Sequence, residues 1–282
     1  MPLALKLGCV AALLAALSAL FAFAGGSGRE RVEAPPLLTL APRDFFYRPA
    51  GEFTREGRPA NAPLRLLSPG HALAIMAREV TQREYRRCVS DGGCPPTAQR
   101  GEGDDRPAVE LSWRDAVAYA AWLSRRLDES YRLPTDEEWV FAAGSRARDE
   151  VLPEGGDPAQ RWLARYEREG DGDEPGDDGA PRPVGSYGRN EYGLEDLSGD
   201  VWEWTDTCFA RLGVTQTGEQ SLSTDCGIRV AEGRHRAYLP DFIRDARAGG
   251  CAVGTPPRYL GLRLVREDGQ ASPWLSLIDA WL

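Results

Sequence analysis

The stretch that decides the architecture reads Tyr192-Gly193-Leu194-Glu195-Asp196-Leu197-Ser198-Gly199-Asp200-Val201-Trp202-Glu203-Trp204. Trp202 and Trp204 are large apolar anchors that bury well only when their ring N–H finds an acceptor. Glu203 lies between them, where an unpaired carboxylate costs several kcal/mol or more, so it needs a cation or a set of hydrogen-bond donors. Gly, Pro, Asp and Trp recur through the second half of the chain. This composition predicts irregular backbone pinned by aromatic side chains, without long helices or a regular sheet.

Upstream, three helix starts follow one rule: Thr81 with Glu84, Ser112 with Asp115, and Thr135 with Glu138 each place a hydroxyl at the N-cap and a carboxylate three residues on. The second predicted helix carries a narrow face of Val117, Ala120, Leu123, Ser124 and Leu127. Gly144 is a suitable stop for the third. The fold is expected to begin at Phe45-Phe46-Tyr47, turn at Pro49-Ala50-Gly51 and continue as a short strand around Phe53. Downstream, Asp171 to Asp178 reads as a solvated acidic loop, and Tyr259 to Val265 alternates well enough to close the fold as a strand. Trp274, Leu275, Leu277, Ile278, Trp281 and Leu282 share one face of a short amphipathic helix, which either packs on its own domain or docks on a partner.

Taken in order, these segments resemble the formylglycine-generating enzyme, or sulfatase-modifying factor, family. The resemblance rests on Pro49-Ala50-Gly51-Glu52-Phe53, Glu79-Val80-Thr81 through Tyr85, and Pro107-Ala108-Val109 with Ser112-Trp113. It continues through Arg132-Leu133-Pro134-Thr135 with Glu138-Trp139, the 192–204 stretch, and Gly261-Leu262-Arg263-Leu264. It implies an α+β fold related to C-type lectins, with little regular secondary structure. It also implies a calcium ion held by Glu203 with carbonyls of Ser198, Gly199 and Val201, oxygen ligands that suit a hard cation. The alternative for Glu203 is a structural pairing with an arginine. A weak second calcium site in the acidic loop is disfavoured, because Pro175 and Arg182 break the spacing of an EF-hand.

One departure bears on function. The family holds copper(I) on two cysteines five residues apart near the C-terminus, soft sulfur for a soft ion. Here the corresponding stretch, Arg229 to Leu239, contains no cysteine; Arg234 and Leu239 fall near the two positions. No copper is therefore expected. Histidine-bound iron of the kind found in sulfoxide-synthase relatives is also disfavoured, since the chain has only His71 and His235. What remains is a dense polar segment. His235, Tyr238 and Arg234 are the candidates for chemistry, and Arg229, Glu232, Arg236, Asp241, Arg244 and Arg247 the candidates for an anion- or peptide-binding pocket. The opposing reading is an arginine–carboxylate network that stitches loops together.

Residues 1–24 read as an export signal: Lys6, an apolar run from Leu7 to Phe23, and Ala22-Phe23-Ala24 before Gly25. Residues 25–43 read as a linker, 44–268 as the domain and 269–282 as the tail. No integral membrane domain is expected once the signal is cleaved; an uncleaved anchor is the alternative. Lys6 is the only lysine, and the formal net charge of −9 argues against nucleic acid as a partner. In an oxidising compartment Cys88 should pair with Cys94 across the Val-Ser-Asp-Gly-Gly turn. Cys208 with Cys226 is the preferred second pair, leaving Cys251 once Cys9 is set aside with the signal. The combined expectation is a periplasmic maturation or accessory factor acting on a partner protein or peptide-derived product. Examples within the family are a pyoverdine-chromophore maturation protein and accessory proteins of copper nitrite reductase. A binding module without chemistry is the second reading, and an oxidase with displaced cysteines the third.

Overall fold

A computed structural model describes residues 32–98, 103–148, 151, 180–218, 220–248 and 259–267. The signal, most of the acidic 171–178 stretch's surroundings and the stretch itself, Cys251 and the C-terminal tail lie outside the described residues. No helix among the described residues is long and apolar enough to cross a membrane.

The chain from Pro35 onward forms one compact unit. It opens with β1 (Leu37–Leu40), β2 (Phe45–Tyr47), β3 (Glu52–Arg55), β4 (Arg58–Ala60), β5 (Arg65–Leu67) and β6 (Leu73–Met76). Three helices follow, α1 (Gln82–Ser90), α2 (Trp113–Leu127) and α3 (Asp136–Ala143), with β7 (Ser130–Arg132) between the last two. The second half holds β8 (Val201–Val214), β9 (Gln220–Glu232), β10 (Ala237–Pro240), β11 (Tyr259–Gly261) and β12 (Val265–Glu267). One sheet has the order β1-β6-β12-β7; the larger runs β10-β9-β8-β3-β4, with β11 also on β8; β2 and β5 make a separate ribbon. The α+β class holds.

All three helix starts form reciprocal capping boxes at Thr81, Ser112 and Thr135, and Gly144 caps α3. Each cap satisfies N–H groups that a helix terminus would otherwise leave bare. The buried face of α2 differs from the predicted one. Ala116, Tyr119, Ala120, Trp122 and Leu123 face inward, while Val117 is exposed. Aromatic bulk sets the orientation, with Tyr119 stacked on Tyr85 and leaning on Trp122.

Three expectations about backbone need correction. The segment given to a linker enters the fold at Leu37, because β1 pairs antiparallel with β6, Leu37 opposite Met76. The second half does contain a regular sheet, a long antiparallel pair of β8 and β9. Its alternation is hidden in the sequence, since every residue from Val201 to Thr205 is buried, β9 is mostly polar and exposed, and bulges flank Cys208. The closing strand is two strands in two sheets. Tyr259–Gly261 runs parallel to β8, and Val265 pairs with both Ile75 and Arg132. Between them Arg263 is fully buried.

Glycine is required at one predicted turn. Gly51 has φ 120°, and a Cβ there would lie 2.2 Å from the Ala210 carbonyl oxygen. The main core joins Leu73, Ile75, Trp139, Phe141, Leu194, Leu197 and Val265 beneath the smaller sheet.

Candidate functional site

Glu203 reaches the core from β8 and meets Arg263. The guanidinium donates from Nε to Oε2 at 3.0 Å and from Nη2 to Oε1 at 2.8 Å. Trp139 Nε1 adds a donor to Oε2 at 2.8 Å. Arg263 also donates to the carbonyls of Met76 at 3.0 Å and Glu195 at 2.7 Å. A second carboxylate, Glu79, lies 3.9 Å from the same guanidinium with its Oε2 buried and without a hydrogen bond. Burial pushes the Glu79 carboxyl well up, against the pull of Arg263.

Calcium on Ser198, Gly199, Val201 and Glu203 does not fit this arrangement. Both oxygens of Glu203 are taken by Arg263 and Trp139, and a hard cation would have to share them with a buried guanidinium. The Gly199 carbonyl accepts from Arg234 Nε at 3.0 Å. Among the described residues, no group of three or more His, Cys, Asp or Glu side chains is placed to hold a metal. The pairing of Glu203 with an arginine is the alternative the structure contains. Its signal was present in the sequence as the one charged residue within Leu262-Arg263-Leu264.

The polar segment Arg229–Arg247 is brought together in part, and most of its groups are already engaged. Arg236 is buried. Its Nε donates to Glu232 at 2.6 Å and Asp136 at 3.2 Å, and its Nη1 to the Arg48 carbonyl at 2.8 Å. Tyr47 Oη donates to Asp136 at 2.5 Å. Two carboxylates thus share one arginine in the interior. Burial first, then Asp136, holds the Glu232 carboxyl well above the usual range. Asp136 and Tyr47 were missed by sequence reasoning, since each reads locally as a helix-start acid or a strand aromatic.

Arg229 Nη1 bonds Asp206, and its guanidinium lies 3.9 Å from the Trp113 ring centre. Asp241 receives a fork from Arg114, both bonds at 2.9 Å, and Arg244 forks onto Asp115 at 2.7 and 2.9 Å. These two pairs fasten the 241–244 chain to the first turn of α2. Arg247 pairs with Asp245 at 3.3 Å on the surface.

The candidates for chemistry fare as follows. His235 is buried, edge-on to Trp202, with Nδ1 3.0 Å from the Arg236 carbonyl; its Nε2 has no hydrogen-bond partner among the described residues. Trp202 Nε1 donates to its backbone carbonyl at 2.9 Å. Tyr238 Oη accepts the Gly51 N–H at 2.9 Å and packs edge-on against Phe209. Leu239 is fully buried on β10, opposite Arg229. The site expected to be a reactive cleft is largely a network that ties β9, β10, α2 and α3 together.

Two disulfides form as expected. Cys88–Cys94 has Cα atoms 5.3 Å apart, and Cys208–Cys226 bridges β8 and β9 at 4.5 Å. All four of these cysteines are therefore closed to thiolate chemistry in this state.

Comparison with known proteins agrees with this architecture. Residues 35–268 match the sulfatase-modifying factor enzyme 1-like domain. An inactive C-alpha-formylglycine-generating enzyme 2 of Bos taurus is 35% identical over 173 residues, 55% of this chain and 53% of that protein. A formylglycine-generating enzyme of Mycobacterium tuberculosis is 41% identical over 109 residues, 36% of this chain and 34% of that protein. The chain thus spans about half or less of the length of these curated relatives. The solved structure of PvdO from Pseudomonas aeruginosa superimposes with a TM-score of 0.54 at 21% identity, covering 83% of this chain and 95% of that one, which speaks to the fold alone.

Proposed function

Given that the chain belongs to the family of the sulfatase-modifying factor enzyme 1-like domain, we propose that it is a non-oxidase accessory member. It is exported to the periplasm, where it binds a partner protein or a peptide-derived product and does not generate formylglycine. The observation that carries this reading is the stretch Arg229–Leu239. The family's copper-binding cysteine pair is absent there; Arg234 and Leu239 fall near its two positions, the first bonded to the Gly199 carbonyl and the second buried in β10. Similarity to a relative named as inactive supports it.

Whether the bound partner is altered or simply held divides the accessory role from a binding module. The engagement of Tyr238 and the burial of His235 favour holding, because neither offers a proton-transfer group to a ligand in an open cleft. The decisive experiment incubates the purified chain, loaded with copper(I), with a sulfatase-derived peptide under oxygen. The reading expects no formylglycine by mass spectrometry; turnover would overturn it. Cell fractionation tests export, with a mature N-terminus at Gly25 as the expected result and recovery of the intact chain in the cytoplasm as the contrary one.

A further inference from the structure

A pocket of about 380 Å³ opens between the β2–β5 ribbon, the end of α3 and the 191–192 turn, with Arg236 of the polar segment also in its lining. Its walls divide by chemistry. Phe45, Phe46, Leu64 and Val140 supply apolar surface; Arg43, Arg48 and Arg148 supply positive charge, and the two carboxylates of the wall, Asp44 and Glu191, accept hydrogen bonds from Ser68 and Ser145. Phe46 and Leu64 are 65% and 48% exposed, and Leu66, directly across the ribbon from Phe46, is 57% exposed. Large apolar side chains clustered this way at a pocket mouth mark a surface that is covered when in use.

Arg43 is held in one pose. Its guanidinium carbon lies 3.8 Å from the Phe141 ring centre and 3.7 Å from that of Tyr192, and Nη2 donates to the Phe141 carbonyl. Packed against both rings, the guanidinium stands in the pocket wall, where it also acts on the nearby Glu191 carboxylate. Arg148, exposed at the rim, has no hydrogen bond or ion pair among the described residues. A pre-oriented guanidinium edge suits a planar carboxylate, and little side-chain entropy remains to be lost on binding. In a chain of net charge −9, long-range attraction does not bring anions in, so such a site works through short-range forks and apolar contact.

We propose that this pocket binds a carboxylate carried on an aromatic or branched apolar group. That chemistry is shared by the C-terminal residue of a peptide and by a free N-acylated amino acid. The volume falls within the range of small-ligand sites. The inference rests on the accessory reading only for its biological setting, to which it adds a ligand class. Loss of the pocket would leave the absence of formylglycine formation unaffected.

The test is calorimetric titration of the purified full chain with N-acetyl-L-phenylalanine, its amide, and acetyl-Ala-Ala-Phe with a free carboxylate. Both acids are expected to bind, and the amide at least tenfold more weakly. A tighter tripeptide would identify a peptide C-terminus as the source, and a tighter amino-acid derivative the free compound. Arg43→Gln and Arg148→Gln should each weaken the acids about tenfold, and Phe46→Ser about fivefold. Arg148 and Phe46 are exposed, so their variants carry the test even if Arg43→Gln fails to fold. Equal binding of acid and amide, no binding of either acid at 10 mM, or unchanged affinity in Arg148→Gln and Phe46→Ser would overturn the proposal.

Discussion

Arg263→Met is the most informative single perturbation. The guanidinium is fully buried, neutralises Glu203 through three hydrogen bonds from Nε and Nη2 and satisfies the carbonyls of Met76 and Glu195. Methionine matches its length but leaves Glu203 with Trp139 alone. Removing one member of a buried ion pair costs ~3–5 kcal/mol, and each stranded buried carbonyl adds ~1–3 kcal/mol unless it finds another donor. Glu203 can relieve part of this by taking up a proton, so the lower end, about 5 kcal/mol, is the expected loss. That is a large share of the ~5–15 kcal/mol that holds a typical domain together. Urea unfolding at pH 7, followed by tryptophan fluorescence, measures it. Arg263→Met/Glu203→Leu should recover at least half, because removing both charges together is often nearly neutral. A loss below about 1 kcal/mol in the single variant would refute the assignment of Arg263 as the counter-ion. Rescue of Arg263→Met, but not of the double variant, by millimolar calcium would show that a cation can take the arginine's place.

Other outcomes follow from neighbouring features. Glu137 is pushed up to about 8 by burial and by the adjacent Asp136 and Glu138. Its folded form therefore holds a proton that the unfolded chain has released, and stability falls as pH rises from the ordinary 4.5 through about 8. Glu137→Gln should flatten that decline, seen as urea midpoints at pH 5 and 8.5 that lie closer together than in the parent; parallel profiles would contradict it. Replacing Cys88 and Cys94 together by serine should cost roughly 2 kcal/mol from loop closure alone, read from thermal unfolding without reductant. Tyr238→Phe should cost about 1 kcal/mol by unpairing the Gly51 N–H while leaving N-acetyl-L-phenylalanine affinity within twofold. A tenfold loss of affinity there would return Tyr238 to the ligand site.

Much of the local structure was legible because it depends on neighbours in sequence. Thr81, Ser112 and Thr135 announce their helices through residues three positions away, and the six-residue separation of Cys88 and Cys94 suits a helix end doubling back. What could not be read depends on distant pairings. Nothing local to Val201–Val214 marks it as a strand, because its first residues are buried on both faces and its partner β9 is polar. The fate of Glu203 hung on Arg263, 60 residues away, and that of Arg236 on Asp136, 100 residues away. The polar segment was legible as a run of charges but its purpose was not, since residue types alone do not separate a ligand pocket from a network that closes on itself. Arg43 went unnoticed because it fell in a segment taken for linker, and only the fold brings Phe141 and Tyr192 against it.

We propose that this member of the family carries no copper-thiolate centre, since Arg229–Leu239 contains no cysteine. The most direct test is a metal and thiol census on protein purified from the periplasm, combining elemental analysis with maleimide-labelled intact mass before and after reduction. The expected result is less than one-tenth copper per chain, two disulfides through Cys88–Cys94 and Cys208–Cys226, and, with Cys9 removed along with the signal, a single labelled thiol at Cys251. Copper at one per chain, lost when free thiols are blocked, would contradict it and make the protein an oxidase with a relocated site.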